Sequence, residues 1–342
     1  MINKISLRND YNFLVDQTTE IFAANNYPLV DAIFIPFKKR YANLNELLQI
    51  LNFYTGPIYL MLSEDKELKH ISWDKHLSVF PLLINDHKFI SFFNSLLTTN
   101  NDFYRNTSWD LPLKRNYALY FSRMKNYSKI LLIDDDIRNF NSEMLDIGTR
   151  CLEKYKLSGC FVKNFPDLSI ICHLEKISGE EIVPFLSGSF LFIRPLLSYS
   201  FFPKIYNEDW LFMLPHIIDN TICSFGSIQQ LPYDPFANPY KAAFEEFGDI
   251  IAEGLYTLLS SNSYDIRFKK EVWDYIINER RETLIFLKKT FRDSRIQEVI
   301  NYAMVANKSI SYRDCLNFLT DMERDQETWN SFLKENNLWK EN

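Results

Sequence analysis

Three adjacent carboxylates follow an unbroken apolar run in Ile130-Leu-Leu-Ile-Asp-Asp-Asp-Ile137. Four aliphatic residues in a row read as a strand buried on both faces, and such a strand delivers the residues after it to the carboxyl edge of a sheet. Open α/β sheets bind ligands at that edge. If the chain stays extended, Asp134 and Asp136 point one way and Asp135 the other. Like charges held that close raise one another's pKa unless a cation lies between them. Mg2+ or Mn2+ meets the need, because hard cations take carboxylate oxygens and keep positions for phosphate oxygens. The competing reading is an acidic turn complementing the dipole of the next helix. A second acidic pair, Glu208-Asp209, precedes the apolar segment Trp210 to Leu214. It offers either a general base or an ordinary acidic helix start.

The elements that must position these groups alternate along the chain. Ala32-Ile-Phe-Ile35 is a short apolar strand closed by Pro36, and Leu44, Leu47, Leu48 and Leu51 recur at helical spacing, with Asn43 and Glu46 as a capping pair. Ile58 to Leu62 and Val79 to Ile84 read as further strands, Tyr117 to Met124 as a helix, and Lys129 to Ile133 as the fourth strand. Ile147, Cys151, Leu152 and Tyr155 mark another helix, with Gly159 to Val162 and Phe185 to Ile193 as later strands. Apolar strands alternating with helices imply an α/β fold with a mostly parallel sheet covered by helices. After about residue 240 the pattern is helical: Phe244, Phe247, Ile251, Leu255 and Leu258 form one stripe, within which Glu245, Glu246 and Asp249 read as a solvated acidic face. Residues 1–240 are therefore expected to carry the site and residues 241–342 to form a helical extension.

The acidic strand end resembles that of the GT-A glycosyltransferases, whose D-x-D ligates the divalent ion that holds a nucleotide-sugar diphosphate. Ala32 to Pro36 looks like the first strand of the nucleotide-binding half. Lys114-Arg-Asn-Tyr-Ala118 is similar to the Asn-containing segment ahead of the D-x-D in the large inverting families, and Tyr206-Asn-Glu-Asp-Trp-Leu-Phe212 looks like their base-bearing segment. The resemblance spans about residues 30–215. It implies a GT-A-type fold and transfer of a sugar from a UDP- or GDP-sugar donor to an acceptor hydroxyl on a glycan, lipid or protein, with inversion. It implies that Asp136 and Asp134 bind Mn2+ or Mg2+, that Asp134 or Asp135 contacts the ribose, and that Asp209, with Glu208 as substitute, is the base. Pro36, Arg115 and Asn116 would then line the donor site, with Lys114 and Arg115 near the diphosphate. Gly188, in Phe185-Leu-Ser-Gly-Ser-Phe190, would leave room for the donor sugar, and Glu64 and Asp65 would recognise the base. Many relatives have a later histidine as a further metal ligand; here only His216 follows Asp209, inside the same helix, so the third ligand is unassigned.

Composition narrows the alternatives. Among 342 residues, 38 basic and 44 acidic ones give a net charge of −6, and there is no basic block, so nucleic acid is not the expected partner. Only 8 glycines occur, which disfavours a P-loop or a G-x-G-x-x-G dinucleotide turn. Five cysteines without a C-x-x-C pair, no leader-like start and no apolar stretch long enough to span a bilayer lead us to expect a cytoplasmic protein, with peripheral membrane contact left open. The helical extension is a candidate homo-oligomer interface. Two other functions compete. A haloacid-dehalogenase-like, Mg2+-dependent phosphatase also carries a strand-end D-x-D, but that fold begins with this strand and wants Thr or Val where Arg138 stands. A non-catalytic nucleotide-sugar-binding or interaction protein is the other.

Overall fold

The computed structural model describes residues 11, 14–18, 29–38, 40–64, 77–105, 107–163, 168–180 and 185–340. Among these the chain forms β1 (Asp16–Gln17), β2 (Ala32–Pro36), α1 (Tyr41–Ile50), β3 (Ile58–Leu62), β4 (Val79–Leu83), α2 (His87–Ser95), α3 (Leu111–Met124), β5 (Ile130–Ile133) and β6 (Ile137–Arg138). Further along come α4 (Ser142–Lys154), β7 (Leu157–Lys163), α5 (Ile170–Ile177), β8 (Leu186–Ile193), α6 (Glu208–Ile218) and β9 (Ile222–Gln230). The last part is helical: α7 (Tyr240–Ser260), α8 (Lys270–Thr290), α9 (Ser294–Ser309) and α10 (Tyr312–Glu335).

The strands lie in one mixed, mostly parallel sheet in the order β1-β9-β7-β8-β5-β2-β3-β4, with β6 paired to β9. Residues Ile130 to Ile133 of β5 are fully buried, as an apolar run in the middle of a two-face-covered sheet must be. β5 runs parallel to β2, with Ala32 opposite Ile130, and antiparallel to β8, with Ile133 opposite Phe190. That antiparallel pairing decides the site's location. Because β8 runs against β5, its opening residues lie beside the carboxyl end of β5, so Ser187 to Ser189 stand next to Asp134.

Among the local boundaries that differ from the sequence expectation, two bear on the site. α1 starts at Tyr41, so Asn43 and Glu46 lie inside the helix instead of capping it, and Glu46 pairs with Arg138. α3 begins at Leu111, six residues before the expected start, because Pro112 fits the first turn, where no amide donor is needed.

The helical region shares a core with the sheet. One cluster of buried side chains runs from Phe34, Ile130 and Leu191 through Phe212 and Phe247 to Trp273, Trp329 and Leu333. Phe92 of α2 stacks on Phe332 of α10 at 3.8 Å between centroids, and Asp325 of α10 accepts the amides of Leu97 and Thr98 at 2.8 and 2.7 Å. The change at residue 240 is thus one of element type, while the hydrophobic core runs across it. No described helix is long and apolar enough to cross a membrane.

Candidate functional site

β5 stops being a strand at its first carboxylate. The Ile137 amide bonds back to the Asp134 carbonyl at 3.2 Å, closing a turn over residues 134–137. Extended alternation therefore ends at Asp134, and the expected pairing of Asp134 with Asp136 is corrected. Asp135 and Asp136 share one cation instead: Arg40 places Nε 3.2 Å from Asp135 Oδ1 and Nη1 2.6 Å from Asp136 Oδ2. Asp134 turns toward α3, where Arg115 Nη2 lies 3.2 Å from its Oδ2.

Arg115 is the hinge of the site. Its other terminal nitrogen, Nη1, donates to Glu208 Oε1 at 2.6 Å, so two carboxylates 74 residues apart in sequence meet on one buried guanidinium. A buried arginine with two carboxylates is a fixed fork. In this geometry Arg115 bridges Asp134 and Glu208, with both terminal nitrogens engaged. Burial pushes the Glu208 carboxyl up to about 8, the Arg115 guanidinium offsetting part of the rise and Asp209 adding to it. Lys114 is also buried, donating to the Phe37 carbonyl at 2.7 Å and so bracing the loop after β2. Asn116 is spent on backbone: it donates to the Phe202 carbonyl at 2.7 Å and accepts from the Phe202 amide at 2.8 Å. Fully enclosed there, it anchors the segment leading to α6 and does not line an open donor site.

Asp209 lies on the first turn of α6 and is only partly buried. Its Oδ2 accepts the Gly188 amide at 2.6 Å and its Oδ1 the Trp210 amide at 2.9 Å, which fixes the carboxylate against the start of β8. The acidic first turn complements the helix dipole, as the helix-start reading expects. Asn207, just before it, adopts a left-handed conformation at φ 64°, which asparagine tolerates better than most residues. Tyr256 of α7 donates to the Trp210 carbonyl at 2.9 Å and ties the same turn to the helical region.

Gly188 is closely packed by the protein's own side chains. A Cβ built there would lie 2.7 Å from Arg115 Nη1 and 2.7 Å from Asp209 Cβ. Its missing side chain makes room for that arginine and aspartate. Gly188→Ala should push both apart and cost about 1–3 kcal/mol, the usual range for overpacking. A melting temperature equal to wild type would contradict this account of the position.

The other expected site residues are dispersed. Pro36 ends β2 at the carboxyl edge, and Glu64 is exposed just past the end of β3. Asp65 lies outside the described residues. His216 sits at the far end of α6, buried, with Nε2 near the Ser198 and Ser200 hydroxyls and Nδ1 3.0 Å from the Thr221 hydroxyl. Burial holds its pKa down at about 3, so it is a satisfied neutral core residue remote from the carboxylates. Glu245, Glu246 and Asp249 are not a solvated face; all are buried, the last two on Arg280 of α8. Asp249 also accepts from Asn207 Nδ2 at 3.0 Å, so this charge network reaches the turn that carries Glu208 and Asp209.

Sequence reasoning missed Arg40. Its signal is the basic cluster Lys38-Lys39-Arg40 directly after β2, the strand beside β5. Missed too was Gln230, the last residue of β9, whose Nε2 is 3.4 Å from Asp136 Oδ2.

The acidic turn fits a hard cation. Both Asp135 oxygens, Asp136 Oδ1 and Gln230 Oε1 are buried without a hydrogen-bond partner, and all four are oxygen donors of the kind Mg2+ and Mn2+ take. Burial pushes Asp135 up to about 7, with Arg40 offsetting part of the effect and Asp136 adding to it. Among the described residues no three His, Cys, Asp or Glu side chains form a ready-made ligand cage. An ion held by the two aspartates would accordingly keep several positions for water or a ligand.

No family model matches the sequence, and no curated protein matches it. Among solved structures, a protein of Desulfovibrio desulfuricans G20, provisionally named a nucleotide-diphospho-sugar transferase, aligns with 78% of this chain and 100% of its own. The identity is 9% and the TM-score 0.33, too low to carry an argument.

Proposed function

We propose that the chain is a metal-dependent glycosyltransferase of GT-A type that moves a sugar from a nucleoside-diphosphate donor to an acceptor hydroxyl. The observation that supports this reading best is the meeting of Asp134 and Glu208 on Arg115, with Asp209 alongside on Gly188. A strand-end acidic turn and a helix-start acidic pair are thereby gathered at one sheet edge, where a donor diphosphate and an acceptor must both reach.

Asp135 and Asp136 would hold the divalent ion. When bound, the ion supplies Lewis-acid stabilisation of the negative charge on the departing diphosphate. The remaining work belongs to the chain. Asp209 is the base in preference to Glu208, because Asp209 is partly open to solvent while Glu208 is enclosed on Arg115. As the acceptor oxygen bonds to the anomeric carbon, its proton passes to Asp209 and the carbon–oxygen bond to the diphosphate breaks, releasing the nucleoside diphosphate with inversion. Arg115 and the Gly188 amide keep Asp134, Glu208 and Asp209 in register for that step.

Thermal melting with UDP or GDP, each with and without Mn2+, tests the reading. Stabilisation is expected only when the right nucleotide and the metal are both present, and it reaches about 2.7 kcal/mol at a ligand concentration a hundredfold above Kd. Melting curves that no nucleotide and metal combination moves would count against it.

A further inference from the structure

The carboxylates at the acidic turn outnumber their cations. Asp134, Asp135, Asp136, Glu208 and Asp209 converge, against Arg115, Arg40 and Arg138, the last donating to the Asp135 carbonyl at 3.0 Å and to the Glu46 carboxylate. Only Arg115 and Arg40 meet the carboxylates of the turn directly, and they differ in kind. Arg115 is enclosed, its side chain 3% exposed and its two ends on different carboxylates. Arg40 approaches from the loop ahead of α1 with its side chain 55% exposed, onto aspartates that are themselves almost fully buried. Arg40 can therefore leave for water at small cost, whereas Arg115 cannot. Even with Arg40 in place, both Asp135 oxygens and Asp136 Oδ1 lack a hydrogen bond, so the guanidinium balances charge without satisfying the site.

We infer that Arg40 is a displaceable counter-ion: it covers Asp135 and Asp136 while the site is metal-free and competes with the divalent ion for them. This rests on the proposed metal site. It makes Arg40 a determinant of metal affinity, setting how much free Mn2+ the protein needs before it loads. The second charge of the ion and its vacant coordination positions let it meet the oxygens that a planar fork leaves unmet.

The experiment is a Mn2+ titration followed by the electron paramagnetic resonance signal of the free ion, on wild type, Arg40→Ala, Arg40→Lys and Asp136→Asn. Arg40→Ala should bind Mn2+ about two- to fivefold more tightly than wild type, since an exposed competing ion pair is worth up to about fivefold. Arg40→Lys, which keeps the charge and loses the fork, should fall between, and Asp136→Asn should bind far more weakly than wild type. Equal or weaker binding in Arg40→Ala, with Asp136→Asn still impaired, overturns the role of Arg40 and leaves the metal site standing. Absence of binding in every variant overturns both. Arg40 is exposed, so its loss should leave the circular dichroism spectrum unchanged.

Discussion

Asp209→Asn is expected to lower sugar transfer by about 10²- to 10⁴-fold, the usual contribution of a positioned general base. Donor binding should stay within about twofold of wild type, because Asp135, Asp136 and Arg40 are untouched. The substitution is not silent structurally. Asp209 accepts from two backbone amides, Gly188 and Trp210, and an asparagine can accept from only one of them. About 1 kcal/mol of stability should go with the lost bond. Melting temperature and nucleotide affinity separate that small structural loss from the large catalytic one. Transfer at the wild-type rate in Asp209→Asn would move the base elsewhere, with Glu208 the next candidate.

Arg280→Met should destabilise the whole protein by about 3–5 kcal/mol, the range for breaking a buried ion pair by deleting one side. Arg280 lies between Glu246, Asp249 and Glu253 of α7, with Nε 3.2 Å from Glu246 Oε2 and Nη1 3.4 Å from Glu253 Oε2. Deleting it leaves three carboxylates in a core that no longer compensates them. Glu246→Gln in the same background should recover part of the loss, since the two changes share one network. Acidification should recover more. Burial already raises the Glu253 carboxyl from its ordinary 4.5 to about 8, against the pull of Arg280. A carboxyl with a raised folded-state pKa contributes stability that is full below its unfolded value and lost as pH rises through the folded one. The variant should therefore be most stable near pH 4.5 to 5 and weaken toward pH 8, more steeply than wild type. A urea midpoint that is low but independent of pH would contradict this assignment of the network. Because Asp249 also holds Asn207, the variant should impair the site along with the fold.

The architecture was legible where the apolar pattern was dense. β5, β2 and β3 are runs of four or five mostly buried apolar residues, and their alternation with helices predicts a mostly parallel sheet. β9 was not, since Ile-Cys-Ser-Phe-Gly-Ser-Ile-Gln-Gln mixes small and polar residues around Gly226, and its place between β7 and β1, with α4 and α6 packed against it, is set by distant elements. The short helices α2 and α5 escaped because eight or nine residues give too few turns to establish a period.

Of the proposed site, the carboxylates could be singled out from order and spacing, but their partners could not. Whether Asp134 pairs with Asp136 or with Arg115 depends on a turn closed by one backbone hydrogen bond, which periodicity does not encode. Charges misled in a consistent way. Arg115, Lys114, Glu245, Glu246 and Asp249 all looked like surface or ligand-facing groups, and all are buried because each finds a partner from a distant element. A residue's own type says that burying its charge is costly; only the fold says where the compensating group comes from.

The account is tested most directly by incubating the protein with a panel of UDP- and GDP-sugars and Mn2+ and measuring released nucleoside diphosphate, wild type against Asp136→Ala. The expected result is slow release from one donor, dependent on metal and absent in the variant. Undiminished release by Asp136→Ala, or phosphate release from sugar phosphates with no nucleotide donor consumed, would contradict it.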